Sequence, residues 1–496
     1  MSDVPSGLPL TPTRGERVAR NAAILSAGQI LSRVLQTVWF IFLARRLGTD
    51  RYGVYTLAIS FVGFVSIVSD LGVGLIVIRQ AAQKPSELPG LLGAALRLVS
   101  GLSIIAAGLA TGLTLALGYR GEILVISAVA ASSIIPNALG SLASVVFQTR
   151  ERFGLVTLYI LTNLCMSIGF GVVALILGAG VLGLAIATVA AAGLNAVIFW
   201  AVALRFAHPS FRDARGLAKP LLLAALPLGL ASYAQTAAFR VDNLLIAHRL
   251  GAKVLALYGV AFMFYSSAVE LFFTPLIGVT YPLMARVAQE GPNELTRLLR
   301  RTYGLVLSIV VPIAAGTALL AVPIVALVFG APYRSSANVL RILIVALVPT
   351  AYWGTLTKAM IVRGRHGIYI ATFVTLLAFV AVGVWIGLSV HGLTGAAAGV
   401  LGAHVATSVL AAVLLRDHAN ILDVPRIGKI LVATALMGLV TWVLRHAFLP
   451  LTVAAAVVTY GLAALGLGIL DEYDRRALID GLLGPVQRVL RPSRSR

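Results

Sequence analysis

The chain has 496 residues, of which 59% are hydrophobic and only 11% are charged, and its mean hydropathy is +0.96. Soluble domains average roughly 45–50% apolar and about 25% charged residues, so the composition excludes a soluble enzyme and a disordered chain. The single cysteine, Cys165, excludes an intramolecular disulfide and a cysteine-cluster metal site, so we expect no metal and no cofactor.

Apolar runs of about 20 residues, the length that a helix needs to cross a bilayer, recur along the whole chain. Only helices and closed barrels satisfy their backbone hydrogen bonds in lipid, and runs this long indicate helices. We therefore predict an all-α integral membrane protein with about 14 transmembrane helices. The predicted spans are 21–43, 54–78, 91–117, 123–147, 153–177, 182–204, 221–246, 255–283, 305–329, 339–361, 368–388, 393–415, 427–444 and 451–470.

The segments that join the spans differ strongly in charge. Most of the 39 Lys and Arg residues lie in the N-terminal segment, the C-terminal tail and alternate loops. Cytoplasmic segments of membrane proteins carry such an excess, so both termini are predicted to be cytoplasmic. This asymmetry accounts for most of the net charge of +21. The expected surroundings are therefore a lipid bilayer, and no nucleic-acid partner is needed to explain the charge.

Two stretches of the sequence match at a constant offset of 203 residues. They are LARRLGTDRYGVYTLA at 43–58 and IAHRLGAKVLALYGVA at 246–261. Six spans separate the copies, and an even number of spans makes the repeat parallel. We therefore predict two six-helix lobes, at 1–206 and 207–416, with a substrate site between them. Residues 417–496 would supply two additional helices and a basic cytoplasmic tail.

Each of two equivalent spans, the first and the seventh, carries one polar stripe with one arginine. The stripes are Ser26, Gln29, Arg33 and Gln36 in span one, and Ser232, Thr236, Arg240 and Asn243 in span seven. Residues at these spacings share a helix face. A charge at the centre of a membrane helix costs roughly 2.5–3.5 kcal/mol, so these faces should look into protein or water. We interpret them as walls of a central aqueous cavity.

A third arginine, Arg97, falls in the predicted cytoplasmic part of span three. Guanidinium groups stay charged and bind phosphate oxygens in a bidentate fork, so a cavity lined by Arg33, Arg97 and Arg240 would attract an anion. Arg341 and Lys358 lie near opposite ends of span ten. These two side chains could line the cavity or could extend to the membrane–water interface, and the sequence leaves both interpretations open.

The fourth span has a polar face of its own, formed by Ser133, Asn137, Ser141 and Ser144. Asn137 is a candidate substrate-binding residue if this face lines the cavity. Ser and Asn also form hydrogen bonds between membrane helices, and the sequence leaves both interpretations open.

Three acidic residues within the spans, Asp70, Asp242 and Glu270, are candidates for coupling transport to a proton or Na⁺. Asp70 has a competing role, because it begins the sequence Asp-Leu-Gly-Val-Gly and would cap a break in span two. The loops are too short for a catalytic domain, and the sequence lacks a P-loop, a nucleophile elbow and metal-binding histidine spacing, so we predict no enzyme.

Two segments resemble signatures of a known family. The first comprises Leu47-Gly48, Tyr52-Gly53, Tyr55, Asp70-Leu71-Gly72 and Arg79, and the second comprises Phe329-Gly330, Tyr333, Ala337 and Leu340-Arg341-Ile342-Leu343. They resemble the O-antigen-type oligosaccharide flippases of polysaccharide biosynthesis, a branch of the multidrug/oligosaccharidyl-lipid/polysaccharide exporter superfamily.

The resemblance implies a flippase in the bacterial inner membrane. Its substrate would be a polyprenyl-pyrophosphate-linked oligosaccharide moving from the cytoplasmic to the periplasmic leaflet by alternating access. The glycan would then enter O-antigen or exopolysaccharide through polymerase or ligase machinery. Arg33, Arg97 and Arg240 fit the family's role of engaging the pyrophosphate.

Two other transport functions stay open at this point. A multidrug or organic-cation antiporter of the same superfamily would need buried carboxylates, which the arginines outnumber here. A lipid II flippase would differ only in the glycan that it carries.

Overall fold

The computed structural model describes residues 14–469 except 213, 215 and 417–419, and its regular elements in that part of the chain are all helices. The α-helices are α1 Arg14–Val65, α2 Val73–Gln83, α3 Leu88–Ala116, α4 Glu122–Ser132, α5 Ile134–Thr149, α6 Phe153–Ile176, α7 Gly180–Ala203, α8 Ala218–Ala238, α9 Val241–Leu250, α10 Ala252–Ala268, α11 Thr274–Val287, α12 Pro292–Leu319, α13 Ala321–Phe329, α14 Ser336–Leu343, α15 Leu347–Val362, α16 His366–Leu414, α17 Val424–Val443 and α18 Leu449–Gly466.

Within the described residues, 12 helical stretches are long and apolar enough to cross a membrane. Two of them, Ile24–Gln83 and Gly367–Leu414, have 60 and 48 residues. At a rise of 1.5 Å per residue, each is about twice as long as one crossing requires. Each contains a non-helical point, at Gly48 and at His391 with Gly392. Both stretches therefore hold two spans, which confirms the predicted total of fourteen.

The two halves of α16 fold back on each other through paired glycines. A Cβ added at Gly387 would overlap the carbonyl oxygen of Gly395, and one added at Gly383 would overlap that of Gly399. This pairing runs antiparallel around the turn at Gly392. Glycine is required at both levels because the two backbones touch.

The internal repeat has the same backbone geometry in both copies. Gly48 has φ 70° and ψ 177°, and Gly251, which lies 203 residues later, has φ 84° and ψ 168°. A positive φ is readily adopted only by glycine. The regular helices that follow these glycines also end at equivalent points, at Val65 for α1 and at Ala268 for α10. Span two continues there with a 3₁₀ turn and span eight with a π turn.

We call α1–α7 the N-lobe and α8–α16 the C-lobe. The end of the bundle that carries the turns at Gly48 and Gly251 is called the outer end, following the predicted orientation. The two lobes meet there between α1 and α10. A Cβ added at Gly53 would overlap the carbonyl oxygen of Ala252, and Tyr333 donates a hydrogen bond to the carbonyl of Ala44 at 3.0 Å. The outer end is therefore tightly closed.

A second contact between the lobes lies nearer the inner end, where span two is broken. Leu71 and Gly72 adopt positive φ angles of 45° and 83°. A Cβ added at Gly229 of α8 would overlap the carbonyl oxygen of Leu71. Asp70 stabilises the break, since its Oδ1 accepts a hydrogen bond from the backbone N–H of Gly74 at 3.0 Å.

The last two spans, α17 and α18, pack against each other, and α17 also packs against α12. Tyr460 of α18 donates a hydrogen bond to the carbonyl of Ser308 at 2.6 Å. These helices lie on the side of the C-lobe and do not contribute to the cavity described below. The predicted basic tail at 470–496 falls outside the described residues.

Candidate functional site

A cavity of about 520 Å³ lies between the two lobes. Its walls come from spans one, two, five and six of the N-lobe and from spans seven and eight of the C-lobe. Its polar lining residues are Arg33, Gln36, Thr37, Thr56, Ser60, Ser167, Thr188, Gln235, Thr236, Arg240, Asn243, Ser266, Ser267 and Glu270. The contact between Gly53 and Ala252 lies between this cavity and the outer end. The cavity therefore occupies the membrane-spanning part of the protein.

Arg33 reaches across the cavity from α1 to the C-lobe. Its Nη2 forms a salt bridge with the carboxylate of Glu270, and its Nη1 donates a 2.8 Å hydrogen bond to Gln36 Oε1. The Nε atom is buried and has no hydrogen-bond partner. The guanidinium is thus only partly satisfied by the protein.

Glu270 lies in the π turn Val269–Phe273 that joins α10 to α11. Single π turns interrupt the regular hydrogen-bond ladder of a helix and are frequent at functional sites. The side chain is 50% exposed and lies at the cavity wall. Its salt bridge to Arg33 joins the two lobes.

Arg240 reaches across the cavity in the opposite direction, from the C-lobe toward the N-lobe. It occupies the non-helical junction between α8 and α9, with φ −134° and ψ −21°. A Cβ added at Gly63 would lie 3.2 Å from Arg240 Nε, so the arginine passes directly over this glycine. Among the described residues Arg240 forms no salt bridge and no hydrogen bond through its side chain, and its charge repels that of Arg33.

The repeat relates the two arginines in an unexpected way. At the offset of 203 residues, Arg33 is equivalent to Thr236, and Arg240 is equivalent to Thr37. All four side chains line the cavity. Each lobe therefore supplies one arginine and one threonine, one helical turn apart and in reversed order. Each arginine points at the opposite lobe, Arg33 toward Glu270 and Arg240 toward Gly63.

Asp242 lies behind the cavity wall. It is 1% exposed, accepts a 2.5 Å hydrogen bond from the hydroxyl of Tyr258, and accepts another from the backbone N–H of Asn243 at 2.8 Å. The Asn243 side chain lines the cavity and donates to Ser60 Oγ of the N-lobe at 3.1 Å. Asp242 therefore holds the start of α9, and the neighbouring asparagine contacts the cavity.

Three candidate binding residues lie away from the cavity lining. Arg97 donates a 2.9 Å hydrogen bond to the carbonyl of Phe211 and stacks over that ring at 5.4 Å, in the segment that joins the lobes. Gln29 is exposed one turn before Arg33 on α1. Asn137 accepts a hydrogen bond from Asn163 at 3.3 Å, which joins α5 to α6. Of the two interpretations of span four, the structure thus shows hydrogen bonding between helices.

Asp70, Arg341 and Lys358 also lie outside the lining. Asp70 caps the break in span two, the alternative role that its sequence suggested. Arg341 is exposed and donates to the carbonyl of Ala318 at 3.3 Å. Lys358 is half-buried within α15. Of the residues considered from sequence, the structure brings together Arg33, Gln36, Thr236, Arg240, Asn243 and Glu270.

The aromatic residues of the lining were not predicted from the sequence. Trp39, Tyr52, Tyr55, Phe262 and Tyr265 line the cavity between the arginines and the outer contact. On an apolar membrane helix such residues have the pattern of core positions. Only the nearness of Tyr52 and Tyr55 to the Arg-Leu-Gly turn at 46–48 would have pointed to any of them.

The known proteins that this chain resembles are membrane transporters. Residues 42–338 match the family described as "Polysaccharide biosynthesis protein". No curated protein is significantly similar to the chain in sequence.

Solved structures of the MOP superfamily share the fold at low sequence identity. The lipid II flippase MurJ in an inward closed conformation has a TM-score of 0.72 at 14% identity, over 89% of this chain and 97% of that chain. An inward-facing multidrug resistance MATE transporter has a TM-score of 0.65 at 17% identity, over 80% and 98%. A MOP superfamily transporter from Pyrococcus furiosus, reported to have a binding pocket of reverse polarity, has a TM-score of 0.56 at 15% identity, over 83% and 98%.

Proposed function

The chain belongs to the polysaccharide biosynthesis protein family, and we propose that it is a flippase for polyprenyl-pyrophosphate-linked oligosaccharides. The substrate would move from the cytoplasmic to the periplasmic leaflet of a bacterial inner membrane by alternating access of the two lobes. The pyrophosphate would sit in the cavity, and the polyprenyl chain would remain in lipid.

One observation carries this proposal: two arginines, one from each lobe, face the same membrane-embedded cavity. Glu270 carries the one carboxylate among the described residues that line the cavity, and the carboxylate of Asp242 is buried behind the wall, so the lining itself keeps a net positive charge. Guanidinium groups bind phosphate oxygens through two parallel hydrogen bonds, and a low-dielectric site strengthens the attraction. A diphosphate ester is the membrane-lipid head group that best matches two such groups.

The aromatic residues of the cavity suit the other part of the substrate. Trp39, Tyr55 and Tyr265 belong to the lining, and the hydroxyl of Tyr265 is held by Thr350 and His404 behind the wall. Such side chains combine an apolar surface with a polar end and are favoured where one part of a ligand is apolar and another is polar. They would contact the sugar next to the pyrophosphate.

An organic-cation antiporter is disfavoured by the same charge balance. The MATE transporters share the fold, but fold likeness does not decide the substrate. A cationic drug would face two guanidinium groups and a carboxylate that is already paired with Arg33. The Pyrococcus transporter, whose pocket polarity is described as reversed, supports a link between pocket charge and substrate within this fold. A lipid II flippase would use the same charges.

The experiment that tests the proposal is transport of a fluorescent polyprenyl-pyrophosphate sugar in proteoliposomes. A membrane-impermeant quencher measures the fraction of label that remains in the outer leaflet. We expect Arg33→Ala and Arg240→Ala to reduce the rate at least about a hundredfold, because each removes a charge that binds phosphate in a low-dielectric site.

Arg341→Ala is the matched control, since it removes an exposed arginine of span ten that lies outside the cavity. It should transport at the rate of the unmodified protein. Normal transport by both cavity variants would refute the assignment of the phosphate site. An equal loss in the Arg341 variant would indicate a general effect of charge.

A further inference from the structure

The protein already supplies Arg33 with an anion. The Glu270 carboxylate and the Gln36 amide oxygen occupy the two terminal nitrogens of the guanidinium, in the positions that phosphate oxygens would take. Its Nε is buried and lacks a partner, although buried polar groups in native proteins are nearly always satisfied. The surroundings of Arg33 therefore resemble a phosphate-binding site in which the side chains of Glu270 and Gln36 take the place of phosphate oxygens.

The repeat shows that this carboxylate belongs to one half of the cavity only. At the offset of 203 residues, Glu270 is equivalent to Ile67, so the N-lobe has no acid that could pair with Arg240 in the same way. The side chain of Arg240 forms no salt bridge within the described residues and passes over Gly63, where no side chain competes for it. One arginine is thus in direct contact with an acid, whereas the other forms no salt bridge and interacts with the buried carboxylate of Asp242 only at longer range.

The position of the Arg33–Glu270 pair allows another anion to replace the Glu270 carboxylate on Arg33. Half of the Glu270 side chain is exposed, so the carboxylate remains solvated when it leaves the guanidinium. The pair is not fully desolvated on the Glu270 side, so its attraction is weaker than that of a wholly buried ion pair, and holding two long side chains together costs conformational freedom. The pair also joins α1 of the N-lobe to the π turn of the C-lobe, so it forms only when the lobes approach each other.

We propose that Glu270 is a tethered competitor for the phosphate site. It occupies the Arg33 half when the site is empty, and the two phosphate groups of the substrate displace it when they bridge Arg33 and Arg240. When the carboxylate returns to Arg33, it expels the phosphate and releases the head group. The exchange replaces one ion pair by another and involves no covalent step. This inference rests on the proposed function, since it concerns the same site.

The test is the binding of inorganic pyrophosphate to the purified full-length protein in nanodiscs, measured by isothermal titration calorimetry. Glu270→Gln keeps the size of the side chain and removes its charge. We expect it to bind pyrophosphate at least about tenfold more tightly than the unmodified protein, because the probe no longer displaces an anion. Unchanged or weaker binding would overturn the inference.

Two further variants make the result specific. Glu122→Gln is the matched control, because this acid pairs with Arg51 at the exposed outer end; a gain there would attribute the effect to net charge and overturn the inference. In the double variant Arg33→Gln with Glu270→Gln the gain should disappear, and persistence of the gain would also overturn it.

The outcomes separate the two proposals. Affinity that depends on Arg240 but not on Glu270 contradicts the tethered competitor alone. Absence of pyrophosphate binding in the unmodified protein and in every variant contradicts the phosphate site itself.

Discussion

Arg33 and Arg240 occupy one cavity but differ in what surrounds them. Arg33 contacts an acid and an amide directly, whereas Arg240 lies over a glycine, forms no salt bridge among the described residues, and interacts with the buried carboxylate of Asp242 only at longer range. The unequal pairing leaves the cavity positive even though it contains a carboxylate. At the scale of single residues, this imbalance is the basis for assigning an anionic substrate.

Gly63 should control the position of the Arg240 guanidinium. A Cβ at this position lies 3.2 Å from Nε, so Gly63→Ala should displace the side chain slightly and Gly63→Leu should push it out of place. A misplacement of about 1 Å can cost up to about a hundredfold in rate. We therefore expect a graded loss of transport in the proteoliposome assay, larger for Leu than for Ala.

Gly101→Leu is the control for this series, because nothing lies within 4 Å of a Cβ added at Gly101 of α3. It should retain normal transport. Full activity of Gly63→Leu would mean that Arg240 does not act from its observed position.

The helical elements show how far the sequence predicts the fold. Hydropathy identified all fourteen spans, because lipid requires apolar runs of a fixed length whatever the surrounding contacts. The repeat placed the turns at Gly48 and Gly251, since a helix reversal there needs a positive φ. The sequence did not reveal the break after Ser69 in detail or the π turn at Glu270, which depend on packing between elements.

The same limit applies to the candidate site. A polar stripe shows that a helix face avoids lipid, but it does not distinguish a cavity from another helix. Arg33 and Arg240 proved to line the cavity, whereas Asn137 contacts Asn163 and Arg97 contacts Phe211. The pairing of Arg33 with Glu270 was not visible either, because the two residues lie 237 positions apart in the sequence.

The α16 hairpin yields a prediction at the scale of elements. Gly387→Ala should force the two halves of α16 apart, because the added Cβ meets backbone that cannot move independently. Overpacking of this kind typically costs about 1–3 kcal/mol, so the melting temperature in detergent should fall. Thermal unfolding followed by tryptophan fluorescence measures this change.

Gly402→Ala in the same helix serves as the comparison, since an added Cβ there meets nothing within 4 Å. It should leave the melting temperature unchanged or raise it slightly, because Ala favours helix over Gly by about 1 kcal/mol. Equal melting temperatures for the two variants would contradict the observed packing of the hairpin.

The two lobes meet on both sides of the cavity. Gly53 contacts Ala252 toward the outer end, and Leu71 contacts Gly229 nearer the inner end. The transport that we propose requires the outer contact to open, which would also separate the rings of Tyr52 and Tyr333, whose centroids are 6.3 Å apart. These contacts are where alternating access of the two lobes would have to act.

The orientation of the whole chain is a separate prediction. The distribution of Lys and Arg places both termini in the cytoplasm. A green fluorescent protein fused after Arg496 should therefore fluoresce in a bacterial host, and alkaline phosphatase at the same position should be inactive. The opposite pattern would reverse the direction of transport that we propose.

The most direct test of the central claim is an experimental structure of the full-length protein with a bound polyprenyl-pyrophosphate oligosaccharide. We expect the diphosphate in the cavity between the lobes, with its oxygens within hydrogen-bond distance of the guanidinium groups of both Arg33 and Arg240. A head group bound elsewhere, with both arginines facing an empty cavity, would contradict it.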